Sequence, residues 1–279
     1  MPMFSDGQLL TAGQLNALVS ALGGDVRGLL PTNAADADND LTFSAGAALD
    51  PTLVYGGILA AAITKRADAT WAAGTNAGGL AAGVTFDTDT MHSFLLIDSS
   101  DPTNADVIYD DDDAATNALA DAAVIAAGFT HARRIASFKP FTSAVWPGIA
   151  AARENGGGAL RIDYKVPQLD LDDYVGATTR QTLVLSVPFD GVTRVDAVLS
   201  VYIAYASGGG HAWVRTNGYT DAVAGANNAD VAVTGAANGR SAAEMIAMAS
   251  NAGQVAHRQS TTAVELSILT KGFIDHRRV

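Results

Sequence analysis

Val264-Glu265-Leu266-Ser267-Ile268 sets an apolar residue against a polar one at every step, and Leu183, Leu185 and Val187 recur at every second position against Thr182, Val184 and Ser186. A period of two with one polar face belongs to antiparallel strands that have one side in water. Val195 to Tyr205 reads as a longer strand. Gly208 to Gly210, Asn217-Gly218, Asn227-Asn228 and Asn238-Gly239 punctuate these runs at roughly the spacing of a β-sandwich. Ala242 to Ser250 fits a helix or a strand, since Glu244-Met245-Ile246-Ala247-Met248 satisfies both patterns.

Upstream, the strand signals are shorter. Leu53 to Ile63, Met91 to Ile97 and Val107 to Tyr109 are apolar runs separated by Gly, Asp, Asn and Thr clusters. Ser93-Phe94-Leu95-Leu96-Ile97 has no polar face and so predicts a strand buried on both sides. The Ala-rich stretch Ala114 to Ala127 predicts helix, stopped by Gly128. Val145 to Gly158, with Trp146-Pro147 and Gly156-Gly157-Gly158, is the best candidate for a domain boundary.

Charge supports that division. The 279-residue chain carries a formal net charge of −12, with 17 acids against 6 bases in residues 1–145 and 12 against 11 in residues 146–279. The acids are 26 Asp and 3 Glu, and the bases 13 Arg and 4 Lys. Asp favours turns where Glu favours helices, and with 28 Gly this composition argues for a turn-rich β-protein. Duplex nucleic acid or an anionic membrane would need a basic footprint, and none is visible. Zero Cys excludes disulfides, thiolate nucleophiles and Cys-ligated metals. No run of about 18 apolar residues predicts a membrane span, and the N-terminus shows no basic segment before an apolar run.

Leu15, Leu18, Val19 and Leu22 fall at i, i+3, i+4 and i+7 between Thr11 as a candidate N-cap and Gly23-Gly24, predicting a short amphipathic helix. Its apolar face either packs on the body of the protein or docks on a partner. Pro31 to Asp40 reads as an acidic linker. Its Asp36-x-Asp38-x-Asp40 spacing suggests calcium, but an EF-hand frame would place Leu41 where Gly is needed and Ala47 where Glu is needed. Asp110 to Asp113 predicts an exposed loop unless a cation such as calcium compensates the repulsion.

Chemistry-bearing motifs are absent. His92, His131, His211, His257 and His276 are scattered, so no metal motif and no cofactor is expected. No nucleophile elbow, phosphate loop or dinucleotide fingerprint occurs, and a non-enzymatic role is expected. With so many Asp, a carboxylate pair suited to glycoside hydrolysis is no test. Exposed aromatics offer sugar stacking instead, and Trp213, beside His211 and near Tyr219, is either such a platform or a core residue.

Several stretches together resemble fibre proteins of tailed phages and prophages, and related modules in fibres and head spikes of gene transfer agents. These are Asn39-Asp40-Leu41-Thr42-Phe43-Ser44-Ala45-Gly46, Leu59-Ala60-Ala61-Ala62-Ile63-Thr64-Lys65-Arg66, the segments 71–80 and 91–97, and Ala127-Gly128-Phe129-Thr130-His131-Ala132-Arg133-Arg134-Ile135-Ala136-Ser137. The last is similar to an "AGYTxYRRIGS" element, and Leu269 to Arg278 to a closing "TLGWIDRRG", with Phe273 and His276 in place of Trp and Arg. Asp110 to Ala127 is longer and more acidic than that pattern. The resemblance implies an oligomeric virion protein built mainly of β-domains. It carries no catalytic residues.

The resulting expectation is mainly β: an N-terminal helical anchor at 1–30, an acidic β-domain at 31–145 and a distal one at 146–279, both antiparallel jelly-roll-like sandwiches. Leu15, Leu18, Val19 and Leu22 would dock on other virion proteins of tail, baseplate or capsid. His211, Trp213, Tyr219, Asn227 and Asn228 would bind host surface glycan. A homo-trimer is expected, or a pentamer at a capsid vertex, made in the host cytoplasm and carried on the extracellular particle. The alternatives are a purely structural adaptor for a separate receptor-binding protein, and a capsule depolymerase.

Overall fold

The computed structural model describes residues 26–52, 54–87, 90–141, 145–155, 159–175, 178–190, 194–205, 209–217, 231–234 and 239–276. The helix expected around Leu15, Leu18, Val19 and Leu22 lies outside them, as do Tyr219, Asn227 and Asn228. The described chain is mainly β and divides into two compact units, Met1–Lys165 with Asp275–Val279, and Val166–Ile274.

In the first unit a seven-stranded sheet runs in the order His131–Phe138, Met91–Ile97, Ala105–Asp110, Ala77–Leu80, Ile63–Thr70, Asp40–Phe43, Pro31–Asn33. Met91–Ile97 is buried along its whole length, as the apolar run Phe94 to Ile97 requires, and it takes His92 and Ser93 inside with it. Phe94 and Leu96 pack with Trp71, Ile108, Val124 and Phe129. On the opposite face Gly57, in the strand Gly56–Leu59, comes down on Leu95 and Ile97, where a Cβ would lie 2.9 Å from Ile97 Cγ1. The sheet is mixed, not antiparallel as expected: Ala77–Leu80 pairs in parallel with both Ile63–Thr70 and Ala105–Asp110.

Three further expectations change. The supposed linker begins with the strand Pro31–Asn33, paired with Leu41 to Phe43, because its turn is closed locally by Asp36. Asp110 in the acidic run is fully buried rather than exposed. Its carboxylate accepts from Ala118 N at 2.6 Å, Asn117 Nδ2 at 2.9 Å and Asp112 N at 3.1 Å, anchoring the helix Thr116–Ala120. Asp121 then ends that helix and caps Ala122–Ala126 through Ala123 N, so the Ala-rich stretch forms two short helices rather than one.

The division between units falls after Lys165 rather than at 145. Trp146 is the reason: its ring is 2% exposed, it lies within 5.4 Å of Phe86, Tyr109 and Phe138, and its Nε1 donates to Asn39 O. Ile149 N donates to Asn33 Oδ1 at 2.6 Å, fixing the following strand Ile149–Glu154 to the same unit.

The chain enters the second unit along the strand Leu160–Val175 and leaves it along Val264–Asp275. One sheet there has the order Leu160–Val175, Val264–Asp275, Val195–Tyr205, Gly239–Met248, and the other the order Gln181–Val184, Gln254–Gln259, Gly209–Thr216, Val231–Thr234. Val195–Tyr205 spans the residues expected of it, and the ambiguous stretch near Met245 is a strand, in register from Asp196↔Met248 to Tyr205↔Gly239. Val264, Leu266 and Ile268 are buried while Glu265 is exposed, as the period of two demands. Buried Gln259 joins the two sheets, its Nε2 donating to Tyr174 O and Val264 O at 2.7 and 2.9 Å.

Candidate functional site

A strand displays alternate residues on one face, and in an antiparallel pair directly opposed residues share that face. The pairs Tyr202↔Ala242 and Ala204↔Arg240 therefore put Tyr202, Ala242, Ala204 and Arg240 on one side of their sheet. That side is the polar one, because Val201 and Ile203 point into the core at 0% and 2% exposure. Tyr202 stands out on it with 46% of its surface exposed. On the other side of Val195–Tyr205, the neighbouring strand contributes Glu265 and Ser267 from its own polar register.

Asp173 completes the lining. Its φ of 38° is left-handed, a conformation Asp tolerates better than most residues. Its backbone N donates to Ser267 Oγ at 3.0 Å and its Oδ1 accepts from the same hydroxyl at 3.2 Å, which fixes the carboxylate at the edge of the trough. Side chains of Asp173, Glu265, Ser267, Tyr202 and Arg240 thus line an open groove of ≈ 530 Å³ across four adjacent strands. Farther along the same face Lys271 pairs with Glu244.

The sequence placed recognition elsewhere in this unit, and the structure corrects one residue of that set. Trp213 is 2% exposed and packs on Ala256, with the Arg215 guanidinium 5.4 Å from its ring centroid. A stacking platform needs an open ring face, and Trp213 has none. His211 is partly buried, and its backbone N donates to Ser260 Oγ at 3.0 Å. Neither residue lines the groove. Tyr202 was legible in principle, since an aromatic at a polar position of an alternating strand is the anomaly that marks a surface site. The length of the apolar run around it hid the register.

The remaining polar clusters serve the fold. Lys65 is fully buried, 3.1 Å from Asp106, and donates to Ala72 O and Gly74 O at 2.6 and 3.2 Å. Burial pushes its ammonium below the usual lysine range, against the pull of Asp106. Asp106 in turn accepts from Gly74 N and Val107 N at 2.8 and 2.6 Å, so the pair pins the loop 72–74. Buried Asp275 accepts from Ser137 N at 2.9 Å and lies 3.7 Å from Arg134, while His92 Nδ1 and Ser137 Oγ are 2.9 Å apart. His92 and Ser137 are both 0% exposed, which closes this constellation to any substrate. His257 is 2% exposed and edge-on to Tyr174, and burial lowers its pKa from 6.5 to about 4. Among the described residues, no three His, Asp or Glu are placed to hold a metal ion, and no helix is long and apolar enough to cross a membrane.

The arrangement in the groove offers an aromatic face for stacking, two carboxylates for hydrogen bonding and one guanidinium. No family model and no curated protein matches the chain. A solved structure described as "Structure of infectious bursal disease virus Gx strain" is similar at 9% identity over 90% of this chain and 76% of that one, with a TM-score of 0.16, too low to bear on fold or function.

Proposed function

We propose that the chain is a structural fibre or spike component of a tailed-phage-like particle that attaches to host surface polysaccharide through the groove of the second unit. The observation that carries this reading is the exposed ring of Tyr202, held on a sheet among Asp173, Glu265, Arg240 and Ser267. An aromatic face flanked by hydrogen-bonding groups is the usual way to hold a sugar ring, whose faces are apolar and whose rim is hydroxylated. Single contacts of this kind are weak, so attachment relies on several copies per particle, a trimer or, at a capsid vertex, a pentamer. In this reading the two units are jelly-roll-like modules on the extracellular particle, assembled in the host cytoplasm. Residues 1–25 dock on a tail, baseplate or capsid protein; 26–30, expected to belong to that helical anchor, instead add the strand Arg27–Gly28 and the buried Val26 and Leu29 to the first unit. The direct test is adsorption of purified protein to host cells: Tyr202→Ala abolishes it while Trp213→Phe preserves it. Equal adsorption by Tyr202→Ala and the parent protein removes the groove from consideration.

Asp173 and Glu265 on adjacent strands favour a second reading, capsule hydrolysis. Both are exposed, whereas a catalytic acid usually owes its raised pKa to a desolvated setting. Release of reducing ends from polysaccharide, lost in Glu265→Gln, distinguishes hydrolysis from binding.

A further inference from the structure

The charges in the groove are sorted. Strand order runs from Asp173 at one side, through Glu265 and Ser267, past Tyr202, to Arg240 at the other side. Two carboxylates and one guanidinium give the groove a formal charge of −1, with the negative groups together and the positive one apart. Among the described residues Arg240 forms no ion pair, and Glu265 and Tyr202 form no side-chain hydrogen bond, so these groups are not consumed by one another. With neighbouring strands ~4.8 Å apart, four strands separate the two ends by about 14 Å, the reach of a short oligosaccharide rather than of one ring.

Resting on the polysaccharide reading above, we infer that the groove is selective for an acidic polysaccharide whose charge alternates with neutral sugars. The carboxylate of one sugar sits on Arg240, and the adjoining neutral ring stacks on Tyr202 and donates from its hydroxyls or amide to Glu265 and Asp173, so that the next acidic sugar falls beyond the carboxylates. Guanidinium and carboxylate match as paired donors and acceptors. Carboxylates facing a ligand reward donors and repel anions, so a polymer charged on every sugar is rejected at the Asp173–Glu265 side. A neutral polymer fits but leaves Arg240 without its partner.

Saturation-transfer NMR on the full chain at millimolar sugar separates these cases with three probes: a hyaluronan tetrasaccharide, maltotetraose and tetragalacturonic acid. The expected order is hyaluronan fragment first, maltotetraose weaker and tetragalacturonate weakest. Arg240→Gln should lower affinity for the hyaluronan fragment about fivefold, the scale of one exposed ion pair, and leave maltotetraose unchanged. Glu265→Gln should admit tetragalacturonate. Maltotetraose binding as well as the hyaluronan fragment, or Arg240→Gln weakening both alike, overturns the charge selectivity and leaves the polysaccharide reading standing. Binding of none of the three, with the Tyr202 signals unmoved, removes both. Loss of hyaluronan binding on adding EDTA would overturn the proposed contacts in favour of a cation bridging the carboxylates. Thermal unfolding of each variant, expected to match the parent, shows that the folded protein is being compared.

Discussion

Lys65 and Arg240 put a cation to opposite uses. In the first unit Lys65 is sealed from solvent against Asp106 and two backbone carbonyls, and Asp110 is likewise buried and saturated by donors. In the second unit Arg240, Glu265 and Asp173 line an open trough beside an exposed tyrosine. A buried charge is tolerated only when its partners are fixed, so the Lys65–Asp106 pair locks a loop and Asp110 a helix end in place. An exposed charge on a sheet contributes little to stability and is available to a ligand. Net charge therefore misleads as a guide to function here: the acidity of residues 1–145 is partly internal scaffolding, and the near-neutral remainder carries the presented groups.

The sharpest way to break this contrast is to cut a buried pair. Asp106→Ala leaves the Lys65 ammonium without its counter-ion and should destabilise the protein by about 3–5 kcal/mol in urea unfolding. The double change Lys65→Met with Asp106→Leu should recover much of that loss. A single variant within about 0.5 kcal/mol of the parent would show that the first unit does not depend on its buried charge. Next in size is acid lability in the second unit. His257 has a folded pKa of about 4 against 6.5, so between those pH values the unfolded chain binds more protons than the folded one. Stability is then full above pH 6.5 and falls as pH drops toward 4, by about 3 kcal/mol over the window. His257→Leu should flatten that part of the pH profile, and an unchanged slope in the variant would assign the lability to other groups.

Smaller again is Asp121→Ala, which removes the acceptor of both Ala123 N and Ala82 N and should cost about 1–2 kcal/mol. Smallest is Tyr202→Ala, expected to change stability by no more than about 0.5 kcal/mol because its ring is not part of the core. A large stability loss from Tyr202→Ala would make the groove aromatic structural and erase the distinction between the two units.

Legibility in the sequence follows the same contrast. Strands with one wet face were readable: Val264, Leu266 and Ile268 against Glu265 and Ser267 alternate in the structure as in the sequence. Met91–Ile97 was readable from Phe94 to Ile97, four consecutive apolar residues that have to be covered on both faces. Asp110 was not, since a run of four Asp looks solvated until the donors at Asn117 and Ala118 are brought to it by the following helix. The parallel pairings of Ala77–Leu80 and the membership of Trp146 in the first unit depend on contacts distant in sequence. The groove escaped for a related reason. Asp173, Tyr202, Arg240 and Glu265 come from four separate strands, and only strand order makes them neighbours. Trp213 drew attention as an aromatic beside a turn that could stack on a sugar, and proved to be covered.

Hydrogen–deuterium exchange of the full chain, with and without host surface polysaccharide, tests the central claim most directly. The account predicts added protection in Val195–Tyr205, Gly239–Met248 and the Glu265–Ser267 segment, none in Met91–Ile97, and loss of the effect in Tyr202→Ala. Protection confined to the first unit, or identical protection in Tyr202→Ala, would contradict it.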